Sequence, residues 1–345
     1  MSQTETTHDI LGGRPTVRSM NGMVAAAHPL AANAGAEILR KGGNAFDAVA
    51  ATAAALNVVE PFMSGLAGAG GASFFLAEDS TVGTIDFIPP VPSRFDSAAV
   101  SKSDTVTGAC ASATPGNLAG WYALQNRHGR LEFADVLKPA IELAKDGFPV
   151  SGFFTTLTRA SLGRIKDTEW RRVFRPDHDW QVGEVLQLHD LSETLSQIAA
   201  DGIGCLYGGA LGEKLVTRIQ AGDGAISMGD LESVSPLWEA PISTSYRDLQ
   251  VNVPPPPAES FQVLLSLRIL ESCDFSQTQP QSSTQSYIVL PGIRNSSGIP
   301  KHNNHKKPQP QKQQITKPNT QCQIKKKKQK KNCDFLKKKN VGESI

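Results

Sequence analysis

The sequence predicts an α/β protein, and three observations support this. Between residues 10 and 275, stretches with helical spacing of apolar residues alternate with short strand-like runs. The stretch VVEPFMSGLAGAGGASFFL, residues 58–76, puts a glycine run between a helix-like and a strand-like segment. Beyond residue 275 the chain is dominated by Gln, Ser, Lys, Asn and Pro, which cannot bury enough apolar surface to fold. We therefore expect a flexible N-terminus (1–14), a folded region (15–275) and a disordered, low-complexity tail (276–345).

The folded region is predicted to begin with two consecutive helices. In HPLAANAGAEILRKGGN, residues 28–44, the apolar residues have helical spacing, and the paired glycines end the helix. Asn44 is a suitable N-cap for a second helix, with Asp47 three residues later, and the Ala-rich residues 45–56 favour helix. This second helix is apolar on most faces, so we expect it to be buried.

The glycine run that follows does not match a phosphate-binding loop. Such a loop needs a strand, then glycines, then a helix, because the anion binds the N–H groups at the start of that helix. Here the order is helix, glycines, strand: residues 72–77 favour a buried strand, and residues 81–87 a second strand after a short hairpin loop. We interpret the glycines as permitting close backbone approach between helix and sheet. They are Gly65, Gly68, Gly70 and Gly71.

Further along the chain, mainly helices are predicted. One follows Pro115 and Gly116, residues 133–145 form an amphipathic helix, and residues 184–220 have helical periodicity. SYRDLQVNV, residues 245–253, alternates as a strand, and a run of prolines precedes an apolar helix at residues 260–271.

The formal net charge of +2 conceals two oppositely charged segments. Residues 276–345 hold 15 Lys and Arg against 2 Asp and Glu, whereas residues 1–275 hold 20 against 31. The lysine run at 325–331 would attract phosphate backbones by counterion release, so a basic-tailed nucleic-acid-binding protein is one alternative. No aromatic residues are interleaved with these lysines, and we expect no specific nucleic acid as partner.

Cysteine usage and hydropathy favour a cytoplasmic protein. The 5 cysteines are scattered and lack CxxC spacing, which argues against disulfides and a zinc site. The opening residues MSQTETTHDI do not resemble a signal peptide, and the apolar stretch 48–59 is far shorter than the ~20 residues of a membrane span. We expect no membrane span, no metal and no cofactor.

Familiar catalytic motifs are missing, since neither HExxH nor GxSxG occurs. Asp177-His178-Asp179 and His189-Asp190 could each supply a base with an orienting acid. Adjacent residues rarely face one site, however, and a solvated loop is the preferred interpretation.

Three collinear blocks within residues 15–275 carry a family resemblance. They are NGMVAAAHPLAANAGAEILRKGGNAFDAVAATAAALNVVEPFMSGLAGAGG, ATPGNLAGWYALQNRHGRLEFADVLKPAIELAKDGFPVS and LYGGALGEKLVTRIQAGDGAISMGDLESVSPLWEAPISTSYRDLQVNVPPPP. Together they resemble the large-subunit region of γ-glutamyltranspeptidases, also called glutathione hydrolases. The resemblance implies part of an N-terminal-nucleophile (Ntn) hydrolase αββα sandwich, the large-subunit half. It also implies a self-cleaving proenzyme whose exposed threonine attacks a γ-glutamyl or related amide, with its own amino group as base.

The resemblance ends soon after PPPPAESFQVLLSLRILE, residues 254–271. In the family, the nucleophilic threonine lies beyond this point, in a Thr-Thr-His type motif that opens the small subunit. The TTH at residues 6–8 lies at the wrong end of the chain. We therefore expect no catalytic residue within the chain and no activity from the chain alone. A noncatalytic subunit that pairs with a separate small subunit is the second alternative.

A second departure concerns substrate binding. In glutathione-cleaving members an arginine after the second strand binds the α-carboxylate of the substrate. The corresponding stretch is DFIPPVPSRF, residues 86–95, and Ile88 occupies the arginine position. An isoleucine cannot pair with a carboxylate, so the implied substrate is a γ-glutamyl or related amide that need not be glutathione. Arg94, six residues later, is the candidate substitute, and a surface arginine is its other interpretation.

Overall fold

The computed structural model describes residues 17–165, 168–175 and 177–271. These residues form a mixed fold in which helices pack against a small antiparallel sheet. The predictions of a flexible segment at 1–14 and a disordered tail at 276–345 lie outside the described residues.

The helices and strands follow one another along the chain as predicted for an α/β protein. The helices are α1 (Pro29–Arg40), α2 (Ala45–Val59), α3 (Asn117–His128), α4 (Phe133–Asp146), α5 (Gly152–Ser161), α6 (Thr168–Phe174), α7 (His189–Asp201), α8 (Gly204–Tyr207), α9 (Ala210–Gln220), α10 (Met228–Glu232) and α11 (Phe261–Leu270). The strands are β1 (Gly71–Leu76), β2 (Thr81–Asp86), β3 (Phe148–Pro149), β4 (Val185–Leu186), β5 (Leu237–Glu239), β6 (Ile242–Tyr246) and β7 (Leu249–Val253).

Helix α2 lies at the centre of the helical layer. Its start is a capping box, in which the Asn44 side chain accepts from the backbone of Asp47 while the Asp47 carboxylate accepts from Asn44 N–H at 2.8 Å. Most of its alanines are buried, and their small size lets α1 and α4 pack closely on either side. The prediction of a buried helix is confirmed, although the helix extends to Val59.

The main sheet has the order β1-β2-β5, with antiparallel pairs throughout. Phe74 and Trp238 pack against the helical core, but the side chain of Phe75 is 60% exposed. The expectation of a buried strand at residues 72–77 is therefore wrong for one face. The physical reason is that successive side chains of a strand point to opposite faces, and only one face of this sheet is packed against the helices described.

The segment SYRDLQVNV forms parts of two strands and not one. β6 and β7 pair from Ile242↔Val253 to Tyr246↔Leu249, and the chain reverses at Arg247, which has a φ of +54°. The alternating pattern continues across this reversal, and no glycine marks it, so the pattern alone predicts a single strand.

The helical prediction for residues 184–220 holds only from His189 onward. Val185 and Leu186 form β4, which pairs with β3. This pair is formed by residues distant in sequence, which local periodicity cannot reveal.

None of the helices within the described residues is long and apolar enough to cross a membrane.

Candidate functional site

Three segments that are distant in sequence meet at one end of the main sheet. The pairing Gly71↔Asp86 places the end of the glycine run beside the end of β2, and Phe87 N–H donates to the Gly70 carbonyl at 2.9 Å. The backbone N–H groups of Gly116 and Asn117, at the start of α3, donate to the Gly68 carbonyl at 2.7 and 2.8 Å. The glycine run, the end of β2 and the start of α3 are therefore held together by backbone hydrogen bonds.

Two of the glycines are needed for this close approach. A Cβ on Gly68 would lie 2.5 Å from Asn117 Nδ2, and one on Gly70 would lie 3.0 Å from the Phe87 ring. A Cβ on Gly65 would instead meet nothing closer than 3.9 Å. The close-approach interpretation is therefore confirmed for Gly68 and Gly70 but not for Gly65. A Cβ on Gly71 would lie 3.2 Å from the Ile85 carbonyl oxygen, so Gly71 is also in a tight contact, within the sheet.

An open cleft of about 660 Å³ lies against these segments. Leu56, Phe62, Met63, Phe87 and Trp121 supply its apolar wall, together with the glycine run. No charged side chain of the described residues lines this cleft. It is therefore suited to an uncharged part of a ligand.

Ile88 directly follows Phe87 at this end of the sheet. Its backbone N–H donates to Asp86 Oδ1 at 2.8 Å, and its side chain is 47% exposed. The position where the family resemblance implies an arginine is thus solvent-accessible and next to the cleft, and the side chain there is apolar.

Arg94 lines a different cleft, of about 320 Å³, together with Asp96, Cys110 and Asp223. This cleft shares no lining residue with the one that contains Phe87. The preceding residue is anchored elsewhere, since Ser93 N–H donates to Asp230 Oδ1 at 2.9 Å. The structure therefore does not bring Arg94 and Phe87 together in one cleft.

The two histidine motifs lie in a surface network of ion pairs that connects α5, α6, α7 and the loop between α6 and β4. The exposed carboxylates are paired with arginines, and His178 lies 3.2 Å from Glu184, which confirms the solvated-loop interpretation of Asp177-His178-Asp179. Such exposed pairs each contribute at most ~1 kcal/mol. The arginine pairs are Arg159–Asp179, Arg171–Asp177 and Arg172–Asp190.

Asp47 has a larger structural role than its position in a capping box indicates. It is fully buried, and its carboxylate accepts from Gln125 Nε2 at 2.8 Å and from Arg130 N–H at 2.9 Å. Burial by itself raises the pKa of Asp47, but the hydrogen bonds from Gln125, Asn44, Arg130 and Leu131 outweigh it, so the pKa is below its ordinary value. Asp47 thereby connects the start of α2 to the loop between α3 and α4.

Among the described residues, no cluster of three or more His, Cys, Asp or Glu side chains could hold a metal ion. The arrangement at the cleft also contains no nucleophile beside a base. What the described geometry offers is an uncharged binding surface with both apolar side chains and polar groups.

A sequence profile of the gamma-glutamyltranspeptidase family matches residues 31–297. The chain belongs to this family. The acylase ACY 1 proenzyme of Pseudomonas sp. (strain SE83) is 38% identical over 289 residues, which cover 79% of this chain and 52% of the relative. A glutathione hydrolase-like proenzyme of Bacillus subtilis is 33% identical, with 79% and 53% covered. The chain spans about half the length of the curated relatives it matches.

Solved gamma-glutamyltranspeptidase structures have a similar fold. The enzyme of Helicobacter pylori superposes with a TM-score of 0.77 at 28% identity, covering 82% of this chain and 84% of that one. The cephalosporin acylase of Bacillus halodurans gives a TM-score of 0.75 at 26% identity, covering 86% and 57%. The chain therefore covers a region of the family about the size of the large subunit.

Proposed function

We propose that this chain is the large-subunit half of an amide hydrolase and acyl transferase of the gamma-glutamyltranspeptidase family. In this proposal the nucleophilic threonine belongs to a second half, and the 345-residue chain alone is inactive. The observation that carries the proposal is the family match over residues 31–297, together with coverage of only about half of each relative. The absence of a base beside a nucleophile among the described residues that line the cleft is consistent with it.

In this proposal the second half packs on the main sheet. The register puts Phe75 and Leu237 on the same face, opposite to Phe74 and Trp238. These two side chains are 60% and 58% exposed. Exposed apolar surface on a sheet is typical of a face that another element covers. In the proposed αββα sandwich, the second sheet covers this face.

Helix α11 offers a second apolar surface. Val263, Leu265 and Ile269 are 51%, 46% and 40% exposed, in a helix whose residues are mostly apolar. A helix that is apolar on several faces is normally buried. We assign these side chains to the same interface with the second half.

The substrate proposed for the assembled enzyme is an amide whose acyl group need not carry the α-carboxylate of a γ-glutamyl group. Ile88 supplies no charge next to the cleft, and no charged side chain of the described residues lines the cleft. Arg94 remains the proposed carboxylate ligand for a substrate that extends into its own cleft.

Complementation tests this function. The purified chain is assayed with a γ-glutamyl anilide and with an uncharged acyl anilide, alone and after co-expression with the remaining half of the Pseudomonas acylase proenzyme. We expect no hydrolysis by the chain alone and hydrolysis by the co-purified pair. Replacing the nucleophilic threonine of the second half with alanine is the control and should abolish activity.

Three other results would contradict the proposal. Self-cleavage and hydrolysis by the chain alone would show that it holds its own nucleophile. A stable pair without activity on any amide would favour a noncatalytic subunit. Salt-sensitive DNA binding that is lost when residues 276–345 are deleted would favour the nucleic-acid alternative.

A further inference from the structure

Strand β1 forms one free edge of the main sheet. The order β1-β2-β5 puts it at one end, and its inner side pairs with β2 from Gly71↔Asp86 to Leu76↔Thr81. β1 has 6 residues, whereas β5, at the other end, has only 3. A long strand with an unpaired edge is a template for pairing with a further strand.

The hydrogen-bond pattern identifies which backbone groups of β1 point outward. Phe87 N–H donates to the Gly70 carbonyl at 2.9 Å and continues the register of the pair, so the groups of Gly70 point toward β2. Along an antiparallel strand this direction alternates from one residue to the next. The N–H and C=O groups of Gly71, Ser73 and Phe75 therefore point away from β2. None of these groups has a hydrogen-bond partner among the described residues.

The same three residues are exposed and uncharged. Gly71, Ser73 and Phe75 share one face of the sheet, opposite to Phe74, which packs against the helical core. The segment from Gly71 to Ala77 contains no lysine, proline or acidic residue. Natural edge strands usually carry such residues, or a bulge, to prevent pairing with another chain. This edge therefore lacks the residues that would keep it unpaired.

We propose that β1 pairs with β1 of a second copy of this chain, antiparallel and centred on Ser73. This register places Ser73 opposite Ser73, and Gly71 of each copy opposite Phe75 of the other. Each outward residue then exchanges both of its backbone hydrogen bonds with the residue opposite. Any other register that keeps the outward groups facing one another leaves at least one of the three residues unpaired. A two-fold axis relates the copies, so the interface is isologous.

The side chains fit this register. Phe75 of each copy lies opposite Gly71 of the other, where the glycine leaves space for the ring. An aromatic side chain that covers a glycine on the neighbouring strand stabilises such a pair. The two serines meet at the centre without charge repulsion. Neither the family membership nor the proposed amide hydrolysis enters this argument, so the dimer stands or fails separately from them.

Sedimentation velocity of the full-length chain tests the pairing. A single pair of short strands is a small interface, so we expect a monomer–dimer equilibrium with a dissociation constant on the order of 100 μM. The chain is measured from about twentyfold below to about fivefold above this value. A purely monomeric chain over this whole range would overturn the proposal, and so would aggregates larger than a dimer that Ser73 variants do not reduce.

Two variants locate the interface at the centre of β1. Ser73→Lys and Ser73→Glu each place like charges directly opposite one another, so either variant by itself should weaken dimerisation about fivefold. Ser73 is exposed, so the fold should be kept in both. An equimolar mixture of the two variants places a lysine opposite a glutamate and should form a heterodimer at least as tight as the parent dimer. A variant that merely misfolds would not recover in the mixture.

Ser245→Lys is the matched control, because it adds the same charge to an exposed serine on β6, outside the main sheet. It should dimerise as the parent does. Three results would refute this interface: weakening by Ser245→Lys equal to that of Ser73→Lys, unchanged dimerisation in both Ser73 variants, or no recovery when the two Ser73 variants are mixed.

Discussion

The ring of Phe87 lies directly against the backbone of Gly120, in the space that a Cβ at position 120 would occupy. Gly116 lies one helical turn earlier, and a Cβ added to it would overlap the Phe87 carbonyl oxygen. These two contacts position the end of β2, and therefore Ile88, on the start of α3. The candidate site depends on this packing, although neither glycine belongs to the glycine-rich run that is most conspicuous in the sequence.

Gly120→Ala is expected to destabilise the protein, because the new methyl group must displace the Phe87 ring. Overpacking of this kind costs about 1–3 kcal/mol, measured as the change in the free energy of unfolding by urea titration. Gly204→Ala is the control, since that glycine is also helical but a Cβ added to it would have no atom within 4 Å. It should be neutral or slightly stabilising, by about 0.4–1 kcal/mol. Equal losses for both variants would mean that the contact with Phe87 is unimportant.

Asp47→Ala is expected to be among the most damaging substitutions in α2. It leaves the Gln125 amide and the Arg130 N–H buried without their acceptor, and each buried donor left unsatisfied costs about 1–3 kcal/mol. Asp201→Ala, at the exposed end of α7, should change the free energy of unfolding by less than about 0.5 kcal/mol. A loss for Asp47→Ala no larger than that of Asp201→Ala would contradict the role assigned to Asp47.

The Asp47 carboxylate should make the free energy of unfolding depend on pH. The pKa of Asp47 is lowered in the folded state, so the stability it contributes is complete above the ordinary pKa of 3.8 and is lost as pH falls through the lower folded-state value. The parent should therefore lose stability more steeply than Asp47→Ala below about pH 4. Urea titrations at several pH values between 5 and 3 compare the two slopes. Identical slopes would show that Asp47 does not titrate in this way.

His128 should also make the free energy of unfolding depend on pH, in a higher pH range than Asp47. Its ring stacks on Phe46 at 4.7 Å and lies near Phe74 and Trp238, while its Nε2 is buried without a partner among the described residues. Burial, and to a lesser extent the charge of Arg127, lower the pKa of His128 below 6.5. Protonation therefore favours the unfolded chain: stability is complete above pH 6.5 and falls as pH drops toward the folded-state pKa.

His128→Phe should reduce this loss of stability between pH 7.5 and 5.5, as measured by urea titration. It should not remove the loss entirely, because burial also lowers the pKa of His28. An unchanged slope in His128→Phe would show that His128 does not titrate with unfolding.

Ile88→Arg tests substrate selection in the complemented enzyme described above. Because Ile88 is 47% exposed, the change should alter the free energy of unfolding by less than about 0.5 kcal/mol. An arginine there can pair with a carboxylate, so kcat/KM for the γ-glutamyl anilide should rise about tenfold relative to the uncharged acyl anilide. Ile88→Lys supplies charge without the planar fork and should give a smaller rise. An unchanged ratio in both variants would remove position 88 from substrate recognition.

Features that depend on neighbouring residues or on long collinear blocks were predictable before the fold was known. The capping box of Asn44 and Asp47, the buried alanine-rich α2, the order of helix, glycines and strand, and the family were all accessible from it. Caps, helical periodicity and glycine placement act over a few residues, so the local pattern is enough to predict them.

Which distant groups meet could be learned only from the folded chain. The fold brings Asp47 to Gln125 and Arg130, puts Phe75 on a sheet face that the described helices do not cover, and places Arg94 in a cleft apart from Phe87. The reversal at Arg247 that splits one predicted strand into a hairpin belongs with these. In each case the outcome depends on contacts between segments far apart in the chain. A periodic pattern predicts whether a side chain is buried or exposed, but it does not predict which residues that side chain contacts.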